Sequence, residues 1–582
     1  RCMVICVLKM TKFVFPILIF LYLLLSPGCK PSTPVEDNPV KGILARLFPG
    51  YEDRFVFETL PPTNHRDCFE IESGPAGKII IRGNSPVSTA VGLNWYLKYS
   101  CNASISWCGN QSNLPSPLPP VPTKIRKESP FKYGYYLNYC TFSYSMPFWD
   151  WNRWEQEIDW MALNGVNLPL AAVGSEAVWQ RTLAHFNFSD AEIKEFVSGP
   201  AFLAWWLMGN LEGWGGPLPQ SWIDDHADLQ KKILARLREF GMEPVLPGFF
   251  GMVPNRLKEK YPQAQIIDQG LWAGGFKRPA FLVPTDPLFA KMADTFYREQ
   301  KKLYGDCRFF SADPFHEGRL PREIDIPACG KEIIAAMHRC SPGAVWVLQG
   351  WQGNPRDELL SGLAPDDTLI LDMDSDNRPQ WKYRNNWNHR PWVWCIIQNF
   401  GGNIGMFGRM DNVASEPMQA LLHQNPGRLM GIGTAPEGID TNPVIYDLLF
   451  EMRWHTDSPN LYQWLKEYSH RRYGRDLPQL RRAWQILRRT VYGKKFEPPD
   501  FQDDTNESIF CARPSKQLDR VSTWRTSRLY YDLDELVEAW KLFISASSKL
   551  EDSPTFQYDL VDLTRQVLAN FGQKVYFHMI YA

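Results

Sequence analysis

Arg308-Phe-Phe-Ser-Ala-Asp-Pro-Phe-His-Glu-Gly318 is the stretch on which the reading of this chain turns. An apolar strand, Arg308 to Ala312, runs into an Asp-Pro turn. Just past the turn Glu317 stands between His316 and Gly318. Leu429-Met-Gly-Ile-Gly-Thr-Ala-Pro-Glu-Gly438 has the same shape, an apolar run ending in Pro, Glu and Gly. A lone glutamate after a strand is more often a solvated loop residue or a helix cap. Two of them at strand ends suggest a pair of carboxylates facing one cavity.

The chain around these stretches supports that placement. From Tyr133 onward strand-like runs alternate with amphipathic helices, as parallel β/α units do. The pattern predicts strands over Tyr133–Thr141, Val166–Val173, Met242–Phe250, Arg308–Ala312, Ala344–Gln349, Thr368–Asp374, Trp392–Gln398 and Leu429–Gly433. Eight such runs fit a (β/α)8 barrel, in which catalytic residues project from the C-terminal ends of strands. Glu317 and Glu437 then follow strands four and eight, across the mouth from one another. A facing carboxylate pair is the minimum equipment for breaking a glycosidic bond.

Upstream, residues 40–127 read as a small α/β domain. Short strands occur at Phe55-Val-Phe-Glu, Cys68-Phe-Glu-Ile and Lys78-Ile-Ile-Ile-Arg, with a helix over Ser85–Tyr99 and a Pro-rich linker at Leu114–Thr123. The barrel is expected over 128–457. From 458 to 582 the chain is helical, and its last helix runs into Ala582 with no cap or stop signal, which reads as an incomplete domain. The fold class is therefore α/β: a (β/α)8 barrel with a small N-terminal α/β domain and a C-terminal all-helical domain.

Residues 1–29 read as run-in sequence and a signal peptide. Lys12 precedes an apolar run from Phe13 to Leu25, and Ser26-Pro-Gly precedes Cys29 as in a lipoprotein cleavage box. Residues 30–39 are a polar, Pro-rich tether. The expected location is the cell surface or periplasm, with membrane attachment only through a lipid on Cys29. A eukaryotic chain would instead be secreted or lysosomal, with Asn102 and Asn187 as glycosylation acceptors.

Composition narrows the chemistry. The 582 residues are too many for one core, so two to four domains are expected. Sixty-three basic residues against 64 acidic ones leave a net charge of -1, which excludes holding nucleic acid or an anionic membrane by bulk electrostatics. There is no CxxC, HExxH or His-x-His, so neither a metal nor a cofactor is expected. Of the 12 cysteines only Cys101 and Cys108 are close enough in sequence to suggest a disulfide. Twenty-three tryptophans are many, and flat apolar faces carrying an N–H suit sugar rings, though any one of them can equally fill a core. Nothing in the pattern fixes an oligomeric state.

Tyr136-Leu-Asn-Tyr-Cys-Thr-Phe-Ser-Tyr-Ser145, then Trp154-Glu-Gln-Glu-Ile-Asp-Trp-Met-Ala-Leu-Asn-Gly-Val-Asn167, resemble the alpha-N-acetylglucosaminidases, glycoside hydrolase family 89. Gly199-Pro-Ala-Phe-Leu-Ala-Trp205, Leu348-Gln-Gly-Trp351, Asn399-Phe-Gly-Gly-Asn403 and Ala435-Pro-Glu-Gly-Ile439 continue the resemblance in order along the chain. It implies Glu317 as general acid/base and Glu437 as nucleophile. It also implies a sugar pocket of Asn138, Cys140, Trp205, Trp272, His316 and Trp351. Two departures stand out. Several members carry Asn where this chain has His316, and the family's helical domain extends past the point of Ala582, its distal part walling the active site.

The implied substrate constrains the chemistry. In an α-linked N-acetylglucosaminide the 2-acetamido group is cis to the leaving group and cannot attack C1 from behind. The protein must supply the nucleophile, which predicts retention of configuration with carboxyls about 5–5.5 Å apart. The natural glycan could be of heparan type or mucin type. Asp372 and Asp374, ending a strand, are the runner-up carboxylates. Asp313 is expected to shape its turn, and Glu155 and Glu157 to be solvated or paired. Asn138 and Cys140 alternate on a predicted strand, and Cys140 has no base beside it to make it a nucleophile. Two other functions fit the pattern: a surface lipoprotein that only binds glycans, and a barrel glycosidase of different sugar specificity.

Overall fold

A computed structural model describes residues 38–63, 66–318, 323–423, 427–495, 508–518, 521 and 529–581. The expected signal peptide, Cys29 and nearly all of the tether lie outside them. Near the N-terminus β1 (Phe55–Thr59), β2 (Cys68–Ser73), β3 (Ile79–Gly83) and β4 (Ile125–Glu128) form a sheet in the order β1-β3-β2-β4. Only the β1–β3 pair is parallel. Helix Pro86–Tyr99 covers this sheet. It starts where a capping box on Ser85 satisfies its first amides and Pro86 presets φ.

The barrel follows. Its strands are β5 (Tyr133–Tyr136), β6 (Leu168–Pro169) and β7 (Val245–Pro247), then, after a side sheet of β8 (Met252–Val253), β9 (Ile266–Ile267) and β10 (Ala280–Leu282), β11 (Phe309–Ser311), β12 (Val345–Gly350), β13 (Thr368–Asp372), β14 (Pro391–Ile396) and β15 (Arg428–Thr434). The eight run in parallel in the order β6-β5-β15-β14-β13-β12-β11-β7. A parallel bridge between Leu170 and Val245 joins the two ends. All eight predicted strands are present, in the predicted order. Strands buried on both faces need continuous apolar runs. Val345-Trp-Val-Leu and Trp392-Val-Trp-Cys-Ile supply them, with Trp346, Trp392 and Trp394 wholly buried.

Two local expectations fail. Leu137 takes a left-handed φ of 92°, which ends β5 at Tyr136. Asn138 and Cys140 therefore sit in the turn before the short helix Thr141–Tyr144 and do not alternate on a strand. Cys101 and Cys108 are both buried and both free: the Cys108 thiol donates to the Asp440 carbonyl, 3.4 Å away.

The C-terminal part is helical, with Leu461–Tyr473, Pro478–Arg489, Leu533–Ala546 and Pro554–Tyr581. Asn460 and Asp532 cap the starts of two of them. Buried ion pairs stitch the parts together. Lys98 of the N-terminal helix meets Asp447 and Glu451 on the barrel helix Pro443–Met452, and Arg471 of the helical part reaches Asp447 at 2.9 Å. Among the described residues no helix is long and apolar enough to cross a membrane.

Candidate active site

The barrel mouth opens into a cavity of about 840 Å³. Asn138, Cys140, Trp205, Trp272, His316, Glu317, Trp351 and Glu437 all line it. Eight side chains far apart in sequence are thus brought onto one surface by the ends of several strands.

Glu317 lies beyond β11 with a φ of 50°, a conformation that a non-glycine residue adopts only when its surroundings impose it. Arg278 imposes it. The buried guanidinium donates to the Glu317 carbonyl at 3.0 Å and to the His316 carbonyl at 2.9 Å. Burial lowers the pKa of Arg278, opposed by the Glu317 charge. The Glu317 carboxyl is held as well: its Oε2 accepts Trp272 Nε1 at 3.0 Å and Asn210 Nδ2 at 3.1 Å. His316 is buried, with Nε2 4.0 Å from Oε1 of Glu317 and no hydrogen-bond partner on Nδ1.

Glu437 follows β15. Its amide donates to the Gln398 carbonyl at 2.9 Å, and its Oε2 accepts the Gly401 amide at 2.5 Å. Cys140 hydrogen-bonds the same carboxylate. Burial first, and then the charges of Glu437 and Glu317, push this thiol well above its usual range. It stays a neutral donor and is no nucleophile at neutral pH. Asn138 braces the wall, donating to the Ala435 carbonyl at 3.3 Å while accepting the Cys140 amide at 3.1 Å. Trp205 packs edge-on to Tyr144 with centroids 5.1 Å apart, and Trp351 leans on Phe400 at 6.1 Å. Both keep part of their rings at the cavity.

The runner-up carboxylates do not line the cavity. Asp372 is wholly buried, accepting the amides of Trp381 and Gln380 and the indole of Trp387. Burial pushes its pKa up to about 7 against those donors. Asp374 is half-buried beside Asp376, and desolvation and that neighbour both raise its pKa. Asp313 shapes its turn by accepting the Gln349 amide at 2.8 Å. Glu155 pairs with Arg236 and Arg46. Glu157 is also paired, with Arg153 at 3.0 Å, and is fully buried, accepting from Tyr136 and Trp107 as well.

Asn210 and Arg278 escaped the sequence reading, and Gly401 entered it only within the Asn399–Asn403 resemblance, with no role assigned. Each acts on a glutamate from a loop that carries no local signal, the distances along the chain being too long for any spacing to show. Among the described residues no group of His, Cys, Asp and Glu could hold a metal ion. Two carboxylates, one doubly hydrogen-bonded on Oε2 and one against a backbone amide, can deliver a proton and a nucleophile to a ring bound between tryptophans.

Three family models match the chain in order. The alpha-N-acetylglucosaminidase N-terminal domain matches residues 38–120, its tim-barrel domain 134–456 and its C-terminal domain 464–582. Human alpha-N-acetylglucosaminidase is 38% identical over 552 residues, covering 92% of this chain and 73% of the human protein. Two solved structures of a family 89 glycoside hydrolase from Clostridium perfringens superpose with a TM-score of 0.89 at 40% identity, over 93% of this chain. One holds 2-acetamido-1,2-dideoxynojirmycin. The other is a variant with two glutamates changed to glutamine, in complex with its substrate GlcNAc-alpha-1,4-galactose. The present chain spans 61% of the length of those chains.

Proposed function

The chain belongs to the alpha-N-acetylglucosaminidase family, glycoside hydrolase family 89, and on that footing we propose that it is a retaining exo-glycosidase releasing terminal α-linked N-acetylglucosamine from glycans. The observation that carries this reading is the placement of Glu317 and Glu437 on one Trp-walled cavity, after the fourth and eighth strands. The Clostridium perfringens variant with bound substrate supports it, since its two replaced glutamates stand at nearly the same spacing as this pair.

The reaction runs in two steps. The Gly401 amide orients Glu437 through Oε2, and the carboxylate attacks C1 of the sugar. Glu317 gives its proton to the departing glycosidic oxygen as the bond to Glu437 forms. Water then enters, Glu317 takes its proton, and the glycosyl ester on Glu437 is cleaved with overall retention. Sugar rings stack on Trp205, Trp272 and Trp351. The disaccharide GlcNAc-alpha-1,4-galactose is the first leaving-group chemistry to try.

Azide separates the two roles. The parent hydrolyses an aryl α-N-acetylglucosaminide. With azide, Glu317→Ala gives the α-glycosyl azide and Glu437→Ala the β-glycosyl azide. Turnover insensitive to either substitution overturns the assignment, and a protein that binds the glycoside without turnover is a glycan-binding module.

We also propose that the full chain is exported and lipidated at Cys29. Lys12, the apolar run Phe13–Leu25 and the small residues before Cys29 support this. Metabolic labelling with an alkyne fatty acid, lost in Cys29→Ser, tests it. A parent that takes no label overturns it.

A further inference from the structure

Residues 435–439, the loop that carries Glu437, are all held from within the barrel. Asn138 reaches the Ala435 carbonyl at 3.3 Å and Thr141 the Pro436 carbonyl at 2.5 Å. The Glu437 amide reaches Gln398, the Tyr446 hydroxyl reaches the Gly438 carbonyl at 3.4 Å, and the Ile439 amide donates to Ser145 at 3.0 Å.

Asp440, three residues past Glu437, is held from outside. Its carbonyl accepts the Tyr558 hydroxyl at 2.8 Å from the long C-terminal helix, and the Cys108 thiol at 3.4 Å from the segment leaving the N-terminal domain. Arg153 of the barrel takes its carboxylate at 3.1 Å. Asp440 has a φ of 68°, so these contacts hold a backbone that a non-glycine residue would not keep unaided.

The two outside donors are tied to each other. Arg472, wholly buried in the helical part, donates to the Cys108 carbonyl at 2.7 Å. The same guanidinium grips Asp559, the residue next to Tyr558, at 2.9 and 3.1 Å. One arginine therefore fixes both groups that meet on Asp440.

We propose that this convergence aims Glu437: Tyr558 and Cys108 are positioning residues, and through them the N-terminal and C-terminal domains act on the catalytic loop. The inference rests on Glu437 being the nucleophile. Displacements near 1 Å at a reacting group cost rate far more than they cost fold, and a nucleophile out of line loses kcat.

Tyr558→Phe removes one hydroxyl and keeps the ring. The full chain carrying it should show kcat about tenfold down on an aryl α-N-acetylglucosaminide with KM within about twofold of the parent. Hydrogen–deuterium exchange should rise in peptides covering residues 435–442. Tyr576→Phe is the control. It lies on the same long helix, its hydroxyl donates to the Ser515 carbonyl at 2.7 Å, away from Asp559 and Asp440, and its loss should leave kcat and loop exchange at parental values. Parental kcat with unchanged exchange in Tyr558→Phe overturns the proposal. So do equal losses in Tyr576→Phe, which would make the effect ordinary domain packing. A parent silent on the glycoside fails the enzymatic reading by itself, while loop exchange still decides whether Tyr558 restrains the loop.

Discussion

Asn210 Nδ2 lies 3.1 Å from Oε2 of Glu317, and Asn210 has no solvent exposure. Trp272 gives the same oxygen a second hydrogen bond. With Oε2 doubly engaged, the mechanism proposed above assigns the proton for the glycosidic oxygen to Oε1. Asn210→Ala should lower kcat about 10- to 100-fold on an aryl α-N-acetylglucosaminide, with KM changing less, because the acid loses its fixed orientation. Steady-state kinetics decide it. Parental kcat would mean that Trp272 alone sets the carboxyl.

Asp313 is buried. Burial first pushes its pKa up to about 6, against the His316 charge and the Gln349 amide, while its Oδ2 has no partner. In the unfolded chain the same group titrates near pH 4, at about 3.9. Between about pH 4 and about pH 6 the folded state thus binds more protons than the unfolded one, and the parent loses stability as pH rises. Asn at this position keeps the acceptor for Gln349 and carries no charge. Denaturant melts should show Asp313→Asn gaining on the parent by about 2–3 kcal/mol from pH 4 to pH 7. A pH-independent difference would place the Asp313 titration elsewhere.

The Cys140 thiol, buried and facing two carboxylates, should resist alkylation, whereas Cys511 is exposed. Iodoacetamide at neutral pH should label Cys511 long before Cys140, as read by peptide mass spectrometry. Equal rates would mean that the cavity opens to reagent and lowers the barrier to thiolate formation.

Arg472 and Asp559 form a buried two-point ion pair. Arg472→Met removes one partner, leaves Asp559 uncompensated and frees the Cys108 carbonyl. It should cost about 3–5 kcal/mol in unfolding free energy. A loss below about 1 kcal/mol would show that Tyr473 and water suffice for Asp559.

The barrel was legible because its strands carry their own signal. Runs such as Val345-Trp-Val-Leu must be apolar throughout when both faces are covered, and Asp-Pro or Pro-Glu-Gly marks where each glutamate strand stops. What stayed hidden depends on partners distant in sequence. Glu157 reads as a polar helix residue, yet Tyr136 and Trp107 reach it from other elements and bury it. Asn210 follows the short helix Leu203–Leu207 in an irregular loop, and only the folded chain brings it to Glu317. The expected Cys101–Cys108 bond failed for a similar reason, because the Cys108 thiol has a carbonyl partner more than three hundred residues away. Cys140 was misplaced on a strand because apolar alternation continues past Leu137, whose left-handed backbone no pattern of side chains announces.

That Glu317 occupies a left-handed φ of 50° sets the tolerance of this chain to drift. Glycine fits such a backbone without the penalty, of order 1 kcal/mol, that a side chain brings there. On the mechanism proposed above, selection for thermal robustness alone would favour Glu317→Gly and extinguish turnover in the same step. Libraries screened only for folded yield should therefore enrich silent proteins at this position, and a retained glutamate at 317 is a record of selection for chemistry.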